Sequence, residues 1–359
     1  MKNQKVLILQ GIVPLYRDPL FNFLSDKYEL TIGYTLHSEY TPLKYKIERI
    51  SFIKLFSLFL PTFSFIKYVN KYDVVIIMPD MHYFNYCILP FLPIRAKVIS
   101  WSIGMRASYK LKYDIKRNKE LLDYFFLMIL KRCNANIFYY KHPLFFWNKL
   151  LNNKKIFIAN NTVKVIDDKE NFQKRDTILF LGSLIEGKGV LMLIELYNEL
   201  LQYNSEFSLK LKIIGGGPLE KKIKDYIQIQ NISNNIQICG PIHDEILLRD
   251  HFSSAIMCVS PNQAGLSVLK SMGHGVPFVT SYDAITGGEK YAIQDGVNGL
   301  FYRKRDELKL IMKSADSNRD KFLEMGENSK SYYNKNYTID LMAEGFTSAI
   351  EYVSNKNNK

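Results

Sequence analysis

The sequence predicts two α/β domains, each built on a parallel sheet. Short aliphatic and β-branched runs alternate with longer amphipathic segments along the chain, the arrangement that produces parallel strands joined by helical crossovers. Glycine-containing turns follow several of these runs, at Gly182–Gly189, at Gly215-Gly216-Gly217 and near Gly265. The length of 359 residues suits two domains of ordinary size better than one.

The elements follow in order. A first strand is expected at Lys5–Gln10, closed by Gly11, with Pro14, Arg17 and Pro19 before an amphipathic segment at Leu20–Leu24. Leu30–Tyr34, Asp73–Met78, Val98–Trp101 and Ala135–Tyr140 read as further strands, and Asp123–Lys131 as a helix. Between them, Lys44–Val69 mixes Lys44, Lys46, Arg49, Lys54 and Lys67 with phenylalanine, leucine and isoleucine. Val165–Asp176 is mostly polar and is expected to be a linker. Strands are expected at Thr177–Leu181, Leu209–Ile214, Ile236–Cys239, Ala255–Val259, Phe278–Thr280 and Leu300–Tyr302, and helices through Asp306–Val353. The expected domains are residues 1–165 and 166–335, with a final helix at 336–359 packing back on the first domain.

Net charge is +13, but it is unevenly placed. Residues 1–165 hold 25 Lys and Arg against 10 Asp and Glu, while residues 166–359 hold 23 against 25. A basic, aromatic-rich first half suggests an anionic partner, either nucleic acid or an anionic membrane. Cys87, Cys133, Cys239 and Cys258 show no metal or CxxC spacing, and the six histidines are scattered, so no metal is expected. The apolar runs Phe52–Phe65 and Phe125–Leu130 are too short or too interrupted to span a bilayer, which needs ~20 residues. The run Val6–Leu9 is too short for a signal-peptide core, and a cytoplasmic protein is expected.

Three turns can carry chemistry. Gly182-Ser183-Leu184-Ile185-Glu186-Gly187-Lys188-Gly189 lies between a strand and a helix, where glycine lets backbone approach phosphate and Lys188 adds a full charge. Gly215-Gly216-Gly217-Pro218 makes a tight turn whose backbone approaches either a ligand or a neighbouring loop. Ser260–Pro277 carries a loop, Asn262–Gly265, into a helix start able to bind ligand oxygens. Each segment alone is equally an ordinary strand-to-helix connection.

Taken in order, Gly-Ser-Leu, Lys188-Gly189, Ile214–Pro218, Ser260-Pro261, Gly265-Leu266, Met272, Gly275-Val276-Pro277 and Asp295–Leu300 resemble the retaining glycosyltransferases of the GT-B fold, called family 4 or glycosyl transferases group 1. The resemblance covers residues 177–302. It implies two Rossmann-like domains with parallel sheets facing a central cleft. The second domain would hold a UDP- or GDP-sugar as co-substrate, with no metal or other cofactor. Lys188 matches the diphosphate lysine, and Gly265 and Leu266 match the helix start that contacts the donor, with Gly182, Ser183, Gly215 and Gly216 beside them. The family usually has arginine at Ser183, and glutamates at Asn262 and Lys270. Asn262 can still bond sugar hydroxyls. Lys270 cannot accept from ribose, but could approach phosphate in the arginine's place. Glu289 is the best remaining carboxylate, so Lys188, Asn262 and Glu289 are the expected catalytic set. Gly11, Arg17, Trp101, Gly104 and Arg106 are expected on the acceptor side, with His82 a weaker candidate.

The resemblance also implies transfer with retention through a short-lived oxocarbenium pair, the leaving phosphate accepting the acceptor's proton. The expected acceptor is a lipid-linked or oligosaccharide chain in cell-surface polysaccharide assembly. Lys44–Lys71 has the mixture of an interfacial segment, so peripheral binding to the inner face of the cell membrane is expected. Three other readings stay open: an inactive homologue, a sugar-nucleotide epimerase of the same fold, and a basic nucleic-acid-binding protein. No helix-turn-helix, zinc or RNA-binding signature supports the last, and no nucleic-acid partner is expected.

Overall fold

The computed structural model describes residues 4–107, 113–166 and 174–355. The linker expected at Val165–Asp176 falls largely on residues 167–173, outside the described residues. The chain divides into two compact units, Met1–Asn161 with Thr338–Lys359, and Thr162–Tyr337.

The first unit is built on a parallel sheet. Its strands are β1 (Lys5–Val13), β2 (Glu29–Ser38), β3 (Lys46–Arg49), β6 (Val74–Ile77), β7 (Lys97–Ser102), β8 (Ala135–Phe138) and β9 (Ile156–Ile158), in the order β3-β2-β1-β6-β7-β8-β9. A separate antiparallel hairpin, β4 (Phe52–Leu55) with β5 (Leu58–Pro61), interrupts the series. Val6–Leu9 and Val74–Ile77 are buried on both faces, as a central parallel strand requires. The first strand runs past Gly11 to Val13. Gly11 therefore does not close it but sits at a register shift between Gln10 and Ile12.

The helix Ile339–Asn355 belongs to this unit. It packs on β7, β8, β9 and the helix Asp18–Lys27 through Met342, Ala343, Phe346, Ala349, Ile350 and Val353. Gly345 lets it come that close, because a Cβ there would lie 2.5 Å from the Ile158 carbonyl oxygen.

The second unit repeats the pattern. Its sheet holds β10 (Thr177–Leu181), β11 (Lys210–Ile214), β12 (Ile236–Gly240), β13 (Ala255–Val259), β15 (Phe278–Ser281) and β17 (Gly299–Tyr302), all parallel, in the order β12-β11-β10-β13-β15-β17. Counted within the unit this is 3-2-1-4-5-6, the doubly wound order, and it reverses between β10 and β13. The helix Val190–Tyr203 packs Val190, Leu193, Ile194, Tyr197 and Leu200 into the core. Each such side chain contributes about 1.5–3 kcal/mol on burial. A small parallel pair, β14 (Gln263–Ala264) with β16 (Ile285–Thr286), adds an element that the composition did not signal.

Among the described residues no three His, Cys, Asp or Glu are grouped to hold a metal ion, and no helix is long and apolar enough to cross a membrane.

Candidate functional site

In a doubly wound sheet the crevice opens beyond the carboxyl ends of the strands where the order reverses. Here those ends are Leu181 of β10 and Val259 of β13, so the turn Gly182–Gly189 and the loop Ser260–Gly265 start side by side. The two are locked together. The Asn262 amide donates to the Lys188 carbonyl at 3.4 Å. Gly189 has φ 72°, and a Cβ there would lie 2.8 Å from Asn262 Nδ2. Gly182 is similarly pinned by β11. Its amide donates to Ile214 O at 3.0 Å, and Leu184 N donates to Gly216 O at 3.0 Å. A Cβ on Gly215 would lie 1.9 Å from Gly182 O, so Gly215 serves this turn-to-turn contact rather than approach to a ligand. Gly216 has only ordinary contacts, with Pro241.

Lys188 is half-buried, and its stem and ammonium lie beside Gly182. Burial holds its pKa below the usual lysine value, against an opposing attraction from Glu289. Among the described residues it forms no ion pair within 4 Å. A desolvated cation at the switch point is thus available to an anion.

Gly265 begins the helix Leu266–Gly273, and no side chain caps that end. A Cβ on Gly265 would meet nothing within 4 Å, so the space in front of the helix is open. The first amides of a helix have no intrahelical partner and attract negative charge. Ser267, just inside the helix, has a buried hydroxyl with no hydrogen-bond partner. Sequence reasoning missed Ser267, whose only signal was its place after Gly265-Leu266. Leu266 is half-buried and Ser183 is exposed.

Strand β16 pairs with β14 and carries the Glu289 loop to this helix start. Glu289 is buried. Its carboxylate accepts from Gly287 N at 2.9 Å and from Thr286 Oγ1 at 3.2 Å.

Lys270 does not do what was expected of it. Its buried ammonium pairs with the Glu245 carboxylate and donates to Lys164 O at 2.7 Å. These partners replace the water lost on burial, and they engage the charge inside the unit instead of offering it to phosphate.

Several expected acceptor-side residues are packing positions of the first unit. Trp101 lies within β7, is 0% exposed, and stands edge-on to Phe21, Tyr139 and Phe346, so it cannot line a binding surface. Gly11 makes room for Tyr83, whose hydroxyl would lie 2.0 Å from a Cβ. Gly104, at φ 83°, packs on Pro143, and its carbonyl accepts from Trp147 Nε1 at 2.7 Å. Arg106 is engaged by Glu120 at 3.2 Å and Asp123 at 3.7 Å. His82 is exposed and pairs with Asp80 at 2.9 Å. Arg17 is buried, with its guanidinium 4.1 Å from the Trp101 ring centroid and Nη2 donating to Tyr139 Oη at 2.6 Å.

Residues 175–315 match the model of a family described as glycosyl transferases group 1. An uncharacterized glycosyltransferase of Haemophilus influenzae is 25% identical over 201 residues, 55% of this chain and 55% of that protein. Another, from Methanocaldococcus jannaschii, is 29% identical over 192 residues, 52% of this chain and 50% of that protein. The chain thus spans about half the length of the curated relatives it matches. Anabaena HepE in complex with UDP is similar in structure with a TM-score of 0.72 at 12% identity, over 97% of this chain and 99% of that one. At that identity the likeness shows the fold, which is GT-B, with two Rossmann-like domains.

Proposed function

We propose that this chain, whose residues 175–315 match the model of the glycosyl transferases group 1, moves a sugar from a nucleotide-sugar donor to an acceptor hydroxyl. One observation carries the reading: half-buried Lys188, without an ion-pair partner among the described residues, stands at the switch point whose other wall is the uncapped helix start Gly265-Leu266. Such a pair of groups suits a diphosphate. That HepE has been solved with UDP and with UDP-glucose supports a uridine donor.

In this reading the sugar C1–O bond to the diphosphate breaks as the acceptor oxygen bonds to C1 on the same face. The acceptor's proton passes to the leaving phosphate oxygen, and configuration is retained. Lys188 and the helix amides stabilise the charge that develops on the diphosphate. Asn262 bonds sugar hydroxyls, and Ser267 adds a donor at the helix start. Glu289 orients its loop and holds Lys188 electrostatically. No metal or cofactor is required.

The acceptor is a lipid-linked or oligosaccharide chain bound by the first unit, in surface polysaccharide assembly. The excess of 15 positive charges in residues 1–165 supports peripheral attachment to the anionic inner leaflet.

A thermal-shift screen of UDP-, GDP-, ADP- and CMP-sugars, followed by transfer assays with Lys188→Ala, tests the proposal. Stabilisation by one nucleotide class and loss of most transfer in the variant are expected. A variant with near-normal transfer rejects the site.

A further inference from the structure

The hairpin β4–β5 is an unusual surface element. Its register pairs Phe52 with Pro61, Ile53 with Leu60, Lys54 with Phe59 and Leu55 with Leu58. Directly opposed residues share a face, so Ile53, Leu55, Leu58 and Leu60 form one wholly aliphatic side. The other side is anchored. Phe59 stacks on Tyr83 with centroids 5.3 Å apart and meets Phe52 edge-on at 4.8 Å, and its amide donates to His82 O at 2.9 Å. The aliphatic side faces outward, with Ile53, Leu55 and Leu58 exposed.

The tip is more unusual. A two-residue loop favours glycine or asparagine where φ is positive. This loop is Phe56-Ser57, and Phe56 has φ 52° with its side chain 90% exposed. A bulky residue in the left-handed region is strained, and here no packing of the side chain offsets it. Phe63, two residues beyond the hairpin, is 96% exposed.

Beside the hairpin's base lies a cavity of about 400 Å³ lined by Arg49, Ser51, Ser64, Lys67, Tyr68 and Lys71 together with the apolar Ile50 and Phe65. Three cations and three hydroxyls meet there. Glu48 is the adjacent acid, and its carboxylate accepts from Tyr68 Oη at 2.6 Å. An aliphatic blade with an aromatic tip next to a cationic, hydroxyl-rich hollow matches the two layers of a bilayer surface, apolar chains below and phosphate headgroups above.

We propose that β4–β5 inserts into the membrane interface, and that the Arg49–Lys67–Lys71 hollow receives the phosphate of an anionic lipid. The inference rests on the membrane attachment proposed above and names the element that makes it. The hairpin enters by Leu55, Phe56 and Leu58, and the hollow supplies the preference for anionic lipid.

The test uses the full chain with phosphatidylcholine vesicles, with and without phosphatidylglycerol. The wild type is expected to co-sediment with the anionic vesicles far more than with the neutral ones. Lys67→Ala with Lys71→Ala is expected to weaken the anionic binding roughly thirtyfold, each surface charge contributing about fivefold. Leu55→Asp with Leu58→Asp is expected to weaken it at least tenfold. In Phe56→Trp, which perturbs the fold least, tryptophan emission is expected to shift to the blue on anionic vesicles and to be quenched by brominated lipid. The two native tryptophans are buried and give a constant background.

If the wild type binds anionic vesicles but Phe56→Trp emission stays unmoved and the aspartate variant binds normally, the hairpin assignment is overturned and membrane attachment survives. If the wild type sediments with neither vesicle, both fall. A wild-type dimer that the aspartate variant dissociates would overturn the proposal in favour of a second copy covering the blade.

Discussion

Lys188→Met perturbs the candidate site at its least compensated charge. In the free protein the half-buried ammonium is desolvated, and its pKa lies below the usual lysine value. The unfolded chain therefore takes up that proton first as pH falls. The charge weighs against folding near neutral pH, and the loss is recovered as pH rises through the folded-state value. Methionine keeps an unbranched apolar stem and removes the charge. The ligand-free variant is expected to be as stable as the wild type or more so, by up to roughly 2 kcal/mol. Binding moves the other way. At ~4 Å and an effective dielectric near 20, an ammonium and a phosphate charge attract by ~4 kcal/mol. Dehydration of the diphosphate offsets part of this, leaving about 1.5–3 kcal/mol, or about 10- to 150-fold in Kd. Calorimetric titration with UDP measures it. Bound diphosphate raises the lysine's pKa, so wild-type affinity is expected to fall as pH rises through the free-state value. The variant should show no such slope. A Kd within about threefold of wild type refutes the reasoning, as does a melting temperature that falls along with affinity.

Other outcomes follow from the same geometry. Gly215→Ala puts a methyl 1.9 Å from Gly182 O and is expected to cost about 2–4 kcal/mol in denaturant unfolding. Gly265→Ala meets nothing within 4 Å and should leave stability unchanged while weakening UDP binding, because the new methyl occupies the space before the helix. Lys270→Ala removes the partner of the Glu245 carboxylate, which is about one-third exposed, and should cost about 1–3 kcal/mol with little change in UDP affinity. A double-mutant cycle with Glu245→Gln isolates the coupling. His274 stacks on Phe252 among Lys270, Lys330, Arg249 and Arg175, and burial first, then these cations, lower its pKa to about 3. The unfolded chain binds this proton first, so stability is expected to fall as pH drops from ~6.5 toward 3, by roughly 1–2 kcal/mol at pH ~5. His274→Leu should flatten that part of the thermal-unfolding profile.

Legibility in the sequence followed the range of the interaction that sets each feature. The strands at Thr177–Leu181 and Ala255–Val259 were readable because a strand buried on both faces is a continuous apolar run. The turns at Gly189 and Gly215 were readable because a left-handed φ at the first and close backbone approach at the second leave glycine as the residue that fits, whatever lies beside it. What Gly215 approaches was not readable, since its partner is another turn 33 positions earlier. The hairpin β4–β5 is not legible because Phe56-Ser57 lacks the glycine or asparagine that a positive φ in a two-residue loop favours. Gly11 reads locally as a strand end because Tyr83, which fills the space beside it, is distant in sequence.

The Lys270 position shows the consequence most clearly. On its own helix it is a cation near a glycine-containing turn, and that local pattern suggests a role in binding. Its carboxylate partner stands 25 residues earlier, on the helix Glu245–Ser253, and the pair turns the charge inward. Ser183 is uncharged and Lys270 is engaged, so Lys188 and the helix start at Gly265 are left as the positive groups described at the switch point. A site with one free cation depends on it more steeply than a site with two. For that reason the loss expected from Lys188→Met should exceed the loss from any other single substitution among the residues around that crevice.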